Sequence, residues 1–230
     1  MHPKEAIAEI KERIVCAAKE AGRKADDIIL LGATKTVDAL RIQEAVDAGL
    51  LYIGENRVQE LCDKYAYVHG AHWHFIGHLQ TNKVKYIIDK AELIHAVESS
   101  RLLDEIDKQA AKMDRCAEVL LEVNASGEAT KFGTGYEEVM PLIAENENRK
   151  HVKIKGLMTI GPHVPDENKV REVFSAMYAL YEKLGRESFE NTRMEYLSMG
   201  MSGDFCTAIK EGANIVRIGS AIFGNREWRK

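Results

Sequence analysis

Short apolar runs and amphipathic stretches alternate along this chain about eight times, and that alternation limits its possible folds more than any other feature. The runs are IILLGAT (28–34), LLYIGE (50–55), HWHFIG (72–77), ELIHAVE (92–98), EVLLEVN (118–124), IKGLMTIG (154–161), MEYLSMG (194–200) and NIVRIGS (214–220). Helical patterns fill the gaps, over Ala39–Ala48, Asn56–Tyr65, Asn82–Asp89, Ser99–Met113, Tyr136–Glu145, Glu167–Leu184 and Cys206–Glu211. Strands that alternate with helices imply βαβ units and a parallel sheet. Eight such units in 230 residues predict a small (β/α)8 TIM-type barrel, with an open doubly wound sheet as runner-up. A further helix is expected ahead of the first unit. Ile7, Ile10, Ile14 and Ala18 recur at helical spacing over 4–21, between Pro3 and Gly22. No linker-like or low-complexity stretch interrupts the pattern, so residues 1–230 are expected to form one domain.

Composition narrows the function classes. The net charge is −4, which argues against general affinity for nucleic acid or an anionic membrane. No apolar run approaches the roughly 20 residues that span a bilayer. The charged start MHPKEAIAEIKER lacks the apolar segment of a secretory signal. Cys16, Cys62, Cys116 and Cys206 are scattered, without zinc or Cys-x-x-Cys spacing. Free thiols in a reducing, cytoplasmic setting are the expectation.

In a barrel, chemistry gathers at the C-terminal ends of the strands. Lys35 stands there, directly after the first run in Gly32-Ala33-Thr34-Lys35-Thr36. Strand alternation puts Leu31, Ala33 and Lys35 on one face. If that face is the interior, burial would favour the neutral amine, which can attack an aldehyde. The plain alternative is a surface lysine, since lysines are mostly exposed.

The last two units look like an anion cradle. Strand seven ends in Ser198-Met199-Gly200-Met201-Ser202-Gly203-Asp204, and Ser202 is placed to cap the helix that follows. Strand eight ends in Val216-Arg217-Ile218-Gly219-Ser220-Ala221-Ile222-Phe223-Gly224, where Gly219 admits a close ligand and the amides of a short helix face outward. Barrel enzymes often bind phosphate in these two loops. Ordinary turns would also use Gly and Ser. Arg217 shares a face with Gly219 and needs an acceptor, either a neighbouring carboxylate or a ligand heteroatom.

His72 and His74 alternate on strand three. They can be metal ligands, but hydrogen-bonded core histidines are the plainer reading, since strand eight offers no carboxylate to complete a site. Asn56 either caps the helix after strand two or faces the cavity, and His78 is in the same position after strand three.

Seven segments together carry a resemblance. They are Gly32–Thr36, Ile53–Glu60, Trp73–Lys83, Gly127–Gly133, Gly156–Met158, Ser198–Ser202 and Val216–Gly224. Their residues resemble, in order, the YggS/PROSC family of pyridoxal phosphate homeostasis proteins, and the match runs from about Lys35 to Gly224. The resemblance implies a fold similar to the barrel domain of bacterial alanine racemases, without their β-rich second domain. It implies pyridoxal 5′-phosphate as cofactor, held as an internal aldimine on Lys35. The phosphate would lie against Ser202 and Gly219–Ser220; Ser198, Gly200 and Met201 would belong to the same cofactor site, and Arg217 would contact the pyridine nitrogen. Asn56 and Met158 would lie near the ring, with His78 in the neighbourhood. Thr34 and Ser220 stand where many relatives have Ser and Thr, which keeps both hydroxyls. Ser202-Gly203-Asp204 replaces a more acidic run.

The residues fit this independently. Such a site needs a lysine, an anion cradle and a partner for the ring nitrogen. A closed barrel sets the first and eighth strands side by side. An arginine only donates, so it keeps the ring nitrogen unprotonated and weakens carbanion stabilisation. Holding, exchanging and delivering the cofactor to apo-enzymes that need it is then the expected role, without turnover. Two readings compete. An amino-acid racemase would need a second base, for which Tyr52, Tyr136 or a histidine is available. A Schiff-base aldolase would also use a barrel lysine and a phosphate cradle. Without the second domain of the racemases, a monomer is expected.

Overall fold

The computed structural model describes residues 2–125, 132–162 and 164–224. Eight strands pair in parallel and in chain order, and β1 closes on β8. They are β1 (Ile29–Ala33), β2 (Tyr52–Glu55), β3 (His72–Phe75), β4 (Leu93–Val97), β5 (Ala117–Glu122), β6 (Val152–Met158), β7 (Thr192–Ser198) and β8 (Ile215–Ile218). The helices are α1 (Pro3–Glu20), α2 (Ala39–Asp47), α3 (Val58–Tyr65), α4 (Ser100–Ala111), α5 (Tyr136–Asn146), α6 (Glu167–Gly185), α7 (Phe205–Lys210) and α8 (Ser220–Phe223). This is a (β/α)8 barrel preceded by one extra helix.

The apolar side chains fall into two sets. Leu31, Ile76, Leu93, Ala96, Leu120, Met158 and Ile215 pack with one another inside the barrel. A larger set, including Ile53, Phe75, Val119, Ile154 and Val216, meets the helices outside it. The strand runs are apolar on both sides because a parallel sheet of this kind is covered on both faces. Between Ile94 and Val97 the pairing of β4 with β5 shifts register. Such an irregularity breaks the simple in–out alternation.

Helix α1 buries Ile7, Ile10, Ile14, Ala17 and Ala18 and packs against α2, α7 and α8. Arg23, just after it, donates to the carbonyls of Ile209 (2.9 Å) and Ala213 (2.6 Å). The added helix thus braces the seam where the barrel closes. Two expectations change in detail. The helix expected over 82–89 is a 3-10 turn at Thr81–Tyr86, and β7 begins at Thr192 rather than at Met194. No helix among the described residues is long and apolar enough to cross a membrane.

Candidate functional site

A cavity of about 1410 Å3 opens at the C-terminal end of the strands. Its lining brings together Lys35, Arg217, Met201, Ser202, Gly219 and Ser220. Strand pairing explains the meeting: Leu31 of β1 is opposite Arg217 of β8, so Lys35 and Arg217, 182 positions apart, reach one opening.

Lys35 sits in a turn two residues beyond β1, exposed on the cavity wall. The protein alone does not give it the burial that strand alternation suggests, because β1 ends at Ala33. Its neighbours are pinned instead. Thr34 is fully buried, and its hydroxyl donates to Glu55 Oε1 at 2.8 Å. Lys64 Nζ, from α3, donates to Glu55 Oε1 (2.7 Å), Glu60 Oε2 (2.8 Å) and the Thr34 carbonyl (3.1 Å). Thr36 has φ +65, unusual for a β-branched residue, and its amide donates to Glu60 Oε2 at 2.7 Å. Glu55 is completely buried. Desolvation raises its pKa, and Lys64 works against that rise.

Arg217 is 5% exposed and braced by neutral groups. Its guanidinium donates to the Ser198 carbonyl (2.9 Å), the Ser198 hydroxyl (2.7 Å) and the Thr159 carbonyl (2.9 Å). Burial brings its pKa down to about 10, with Glu122 and Asp204 opposing the fall. It stays a cation at neutral pH. Glu122, at the end of β5, is pushed up to about 7 by burial and by Glu98, against the pull of Arg217.

The other expected residues divide. Ser202 does not cap α7. That position belongs to Asp204, whose Oδ1 accepts the Met201 amide at 2.5 Å. The Ser202 hydroxyl instead accepts the Ala221 amide at 3.4 Å, joining the two loops at the start of α8. Gly200 has φ +93, and a Cβ there would lie 2.5 Å from Ala208 Cβ, so packing of α7 requires the glycine. A Cβ on Gly219 would press on Ala33 of β1, at 3.3 Å from its carbonyl oxygen. Ser198, Gly200, Asn56, His78 and Met158 do not line the cavity. Met158 is buried in the barrel interior. His78 lies 3.3 Å from Glu98 and stacks on Phe132, with ring centroids 4.4 Å apart. Asn56 Oδ1 is buried with no hydrogen-bond partner. Within the segment Gly127–Gly133, residues 127–131 lie outside the described residues.

His72 and His74 take different partners, Glu92 at 2.8 Å and His95 at 2.9 Å. Among the described residues no cluster of three or more His, Cys, Asp or Glu side chains is placed to hold a metal. Sequence reasoning missed Glu55, His95 and Glu122. Their signal was a charged or ring-bearing residue inside an otherwise apolar strand.

Comparison with known proteins places this arrangement. Residues 8–227 match the family model described as alanine racemase, N-terminal domain. A pyridoxal phosphate homeostasis protein of Aquifex aeolicus is 44% identical over 230 residues, covering 99% of this chain and 100% of its own length. A crystal structure of an unknown protein from Bifidobacterium adolescentis superposes with a TM-score of 0.91 at 36% identity, covering 96% of this chain and 94% of that one. PipY of Synechococcus elongatus, solved with PLP bound, superposes with a TM-score of 0.80 at 29% identity, covering 94% of this chain and all of PipY. With its barrel, its matched domain and a relative alike over nearly its whole length, the chain belongs to the pyridoxal phosphate homeostasis protein family.

Proposed function

We propose that this protein binds pyridoxal 5′-phosphate with Lys35 Nζ as the covalent attachment point, and serves its storage and delivery without turnover of its own. The observation that carries the reading is the shared cavity. An amine, a buried guanidinium and two Ser/Gly loops converge there from opposite ends of the chain. The residues fit the cofactor. The Ser220 amide at the start of α8 has no intrahelical acceptor and suits a phosphate, next to the Ser220 hydroxyl and to the Ala221 amide that Ser202 holds. The buried Oδ1 of Asn56 has no partner, but Asn56 stands outside the described lining, so the fit rests on the lining residues. When bound, the cofactor supplies an electrophilic carbon that amines can exchange upon. Lys35 anchors, Arg217 donates toward the ring nitrogen and keeps it unprotonated, and Met201 borders the cavity. Met158 closes the barrel below. Ser198 and Gly200 act from behind, through Arg217 and the turn.

The reading without turnover rests on an arginine as the partner of the ring nitrogen, which weakens carbanion stabilisation. Tyr52 and Tyr136, two candidates for the second base of a racemase, are not among the described residues that line the cavity. Its three carboxylates are already engaged. Asp38 caps α2, Glu167 accepts from Thr207 at 3.0 Å, and Asp204 holds the Met201 amide. Release to an acceptor apo-enzyme in the cytoplasm, from a single-domain monomer, completes the proposal.

Borohydride treatment of the loaded protein should fix a pyridoxyl group on Lys35, located by peptide mapping. A label confined to another lysine overturns the assignment. Lys35→Ala should lose the visible absorption band. Its unfolding free energy should change by less than about 0.5 kcal/mol, because the side chain is exposed.

A further inference from the structure

A buried chain of hydrogen bonds runs behind Arg217. Ser198 Oγ accepts from Arg217 at 2.7 Å and lies 3.0 Å from His95 Nδ1, and His95 Nε2 lies 2.9 Å from His74 Nδ1. Ser198 and His95 are completely buried, and His74 is nearly so. The order of protons in this chain follows from chemistry. Arginine only donates, so Ser198 must accept from it. The Ser198 hydrogen then needs an acceptor, and His95 Nδ1 is the one in reach. His95 therefore carries its hydrogen on Nε2 and passes it toward His74 Nδ1. The reverse order would leave a hydroxyl hydrogen orphaned in a dry site, which the forward order avoids. The forward order ends on His74 Nε2, the end of the chain that keeps some exposure.

The chain opposes a competing attraction. Glu122 and Asp204 lie close enough to act on the charge of Arg217. Glu122 is buried at the end of β5, whereas Asp204 Oδ1 already accepts the Met201 amide. A guanidinium drawn to Glu122 would leave Ser198 and Thr159.

We infer that His95, backed by His74, is a positioning residue: by orienting the Ser198 hydroxyl it holds Arg217 toward the cavity and away from Glu122. This rests on the reading that Arg217 faces the bound cofactor. It adds a role for two histidines that never touch that cofactor. Both are neutral in this arrangement, as desolvation demands of them. A charged His95 would donate from Nδ1 and turn the Ser198 hydrogen away.

The first test needs no cofactor. In protein labelled with 15N-histidine at neutral pH, His95 and His74 should both show a bare Nδ1 and a protonated Nε2. A protonated Nδ1 on His95 overturns the inference. The second test is affinity for pyridoxal 5′-phosphate. His95→Ala should weaken it about tenfold, equal to about 1.4 kcal/mol. His95→Gln, whose amide oxygen can accept from Ser198, should recover most of the loss. Adding Glu122→Gln to His95→Ala should recover it too, because the rival attraction is gone. Loss without recovery in either variant means that His95 is merely structural, and overturns the inference. Failure of the wild-type protein to bind at all would instead sink the reading of the site. The tautomer measurement decides the proton order even if His95→Ala does not fold.

Discussion

Lys35 and Arg217 reach one cavity from opposite ends of the chain, yet their surroundings are built from different chemistry. The turn bearing Lys35 is held by charges: Lys64 bridges Glu55 and Glu60 and also grips the Thr34 carbonyl. Arg217 is held by two carbonyls and a hydroxyl, with neutral histidines behind. The difference follows from depth. Near the surface a lysine keeps part of its hydration, so an ion-pair network is affordable. In the interior a carboxylate against Arg217 would neutralise the charge that the proposed ligand needs. Neutral acceptors satisfy the guanidinium and leave its charge available.

This contrast can be broken experimentally. Lys64→Met should have the largest effect, since it leaves the buried Glu55 carboxylate unpaired; removing one partner of such a pair costs about 3–5 kcal/mol. The loss, read by denaturant unfolding, should shrink as pH falls, because a protonated Glu55 needs no cation. A pH-independent loss would mean that Lys64 acts by packing alone. Glu122→Gln comes next. In the folded chain Glu122 binds its proton up to about pH 7, against 4.5 for a free carboxyl. The folded state thus holds more protons between these values, and stability falls as pH rises through that window. At pH 8 the variant should be more stable than wild type by about 3 kcal/mol, with no gain at pH 4. An equal difference at both pH values would show that Glu122 does not titrate there. Ser198→Ala should cost least, about 1.5–3 kcal/mol for one bond to a charged donor, because the Ser198 and Thr159 carbonyls remain. A loss matching that of Lys64→Met would erase the distinction between the two braces.

Much of the barrel was legible in the chain. Parallel strands covered on both faces are unbroken apolar runs, and all eight runs became strands. The lysine and the two Ser/Gly loops were legible by their place in the alternation. Three things were hidden. His95 follows a register shift, so its orientation does not come from counting by twos. Ser202 looked like a cap for α7, but its hydroxyl turned to the neighbouring loop, a partner set only by tertiary packing. Lys64 sits on a mostly polar helix, where a lysine is ordinarily a solvated surface residue. Its role depends on Glu55 being buried at the end of β2. Local pattern shows where an element lies; which polar groups meet depends on how strands and loops are stacked against each other.

Closure of the barrel by β8 against β1 has a consequence for synthesis. The Lys35 amine emerges from the ribosome 182 residues before the Arg217 guanidinium, so a growing chain offers both only after β8 is made. A ligand that needs both will add its binding energy only once the final strand has docked. Cofactor supply would then act as a late check on assembly, favouring finished molecules over those stalled one strand short.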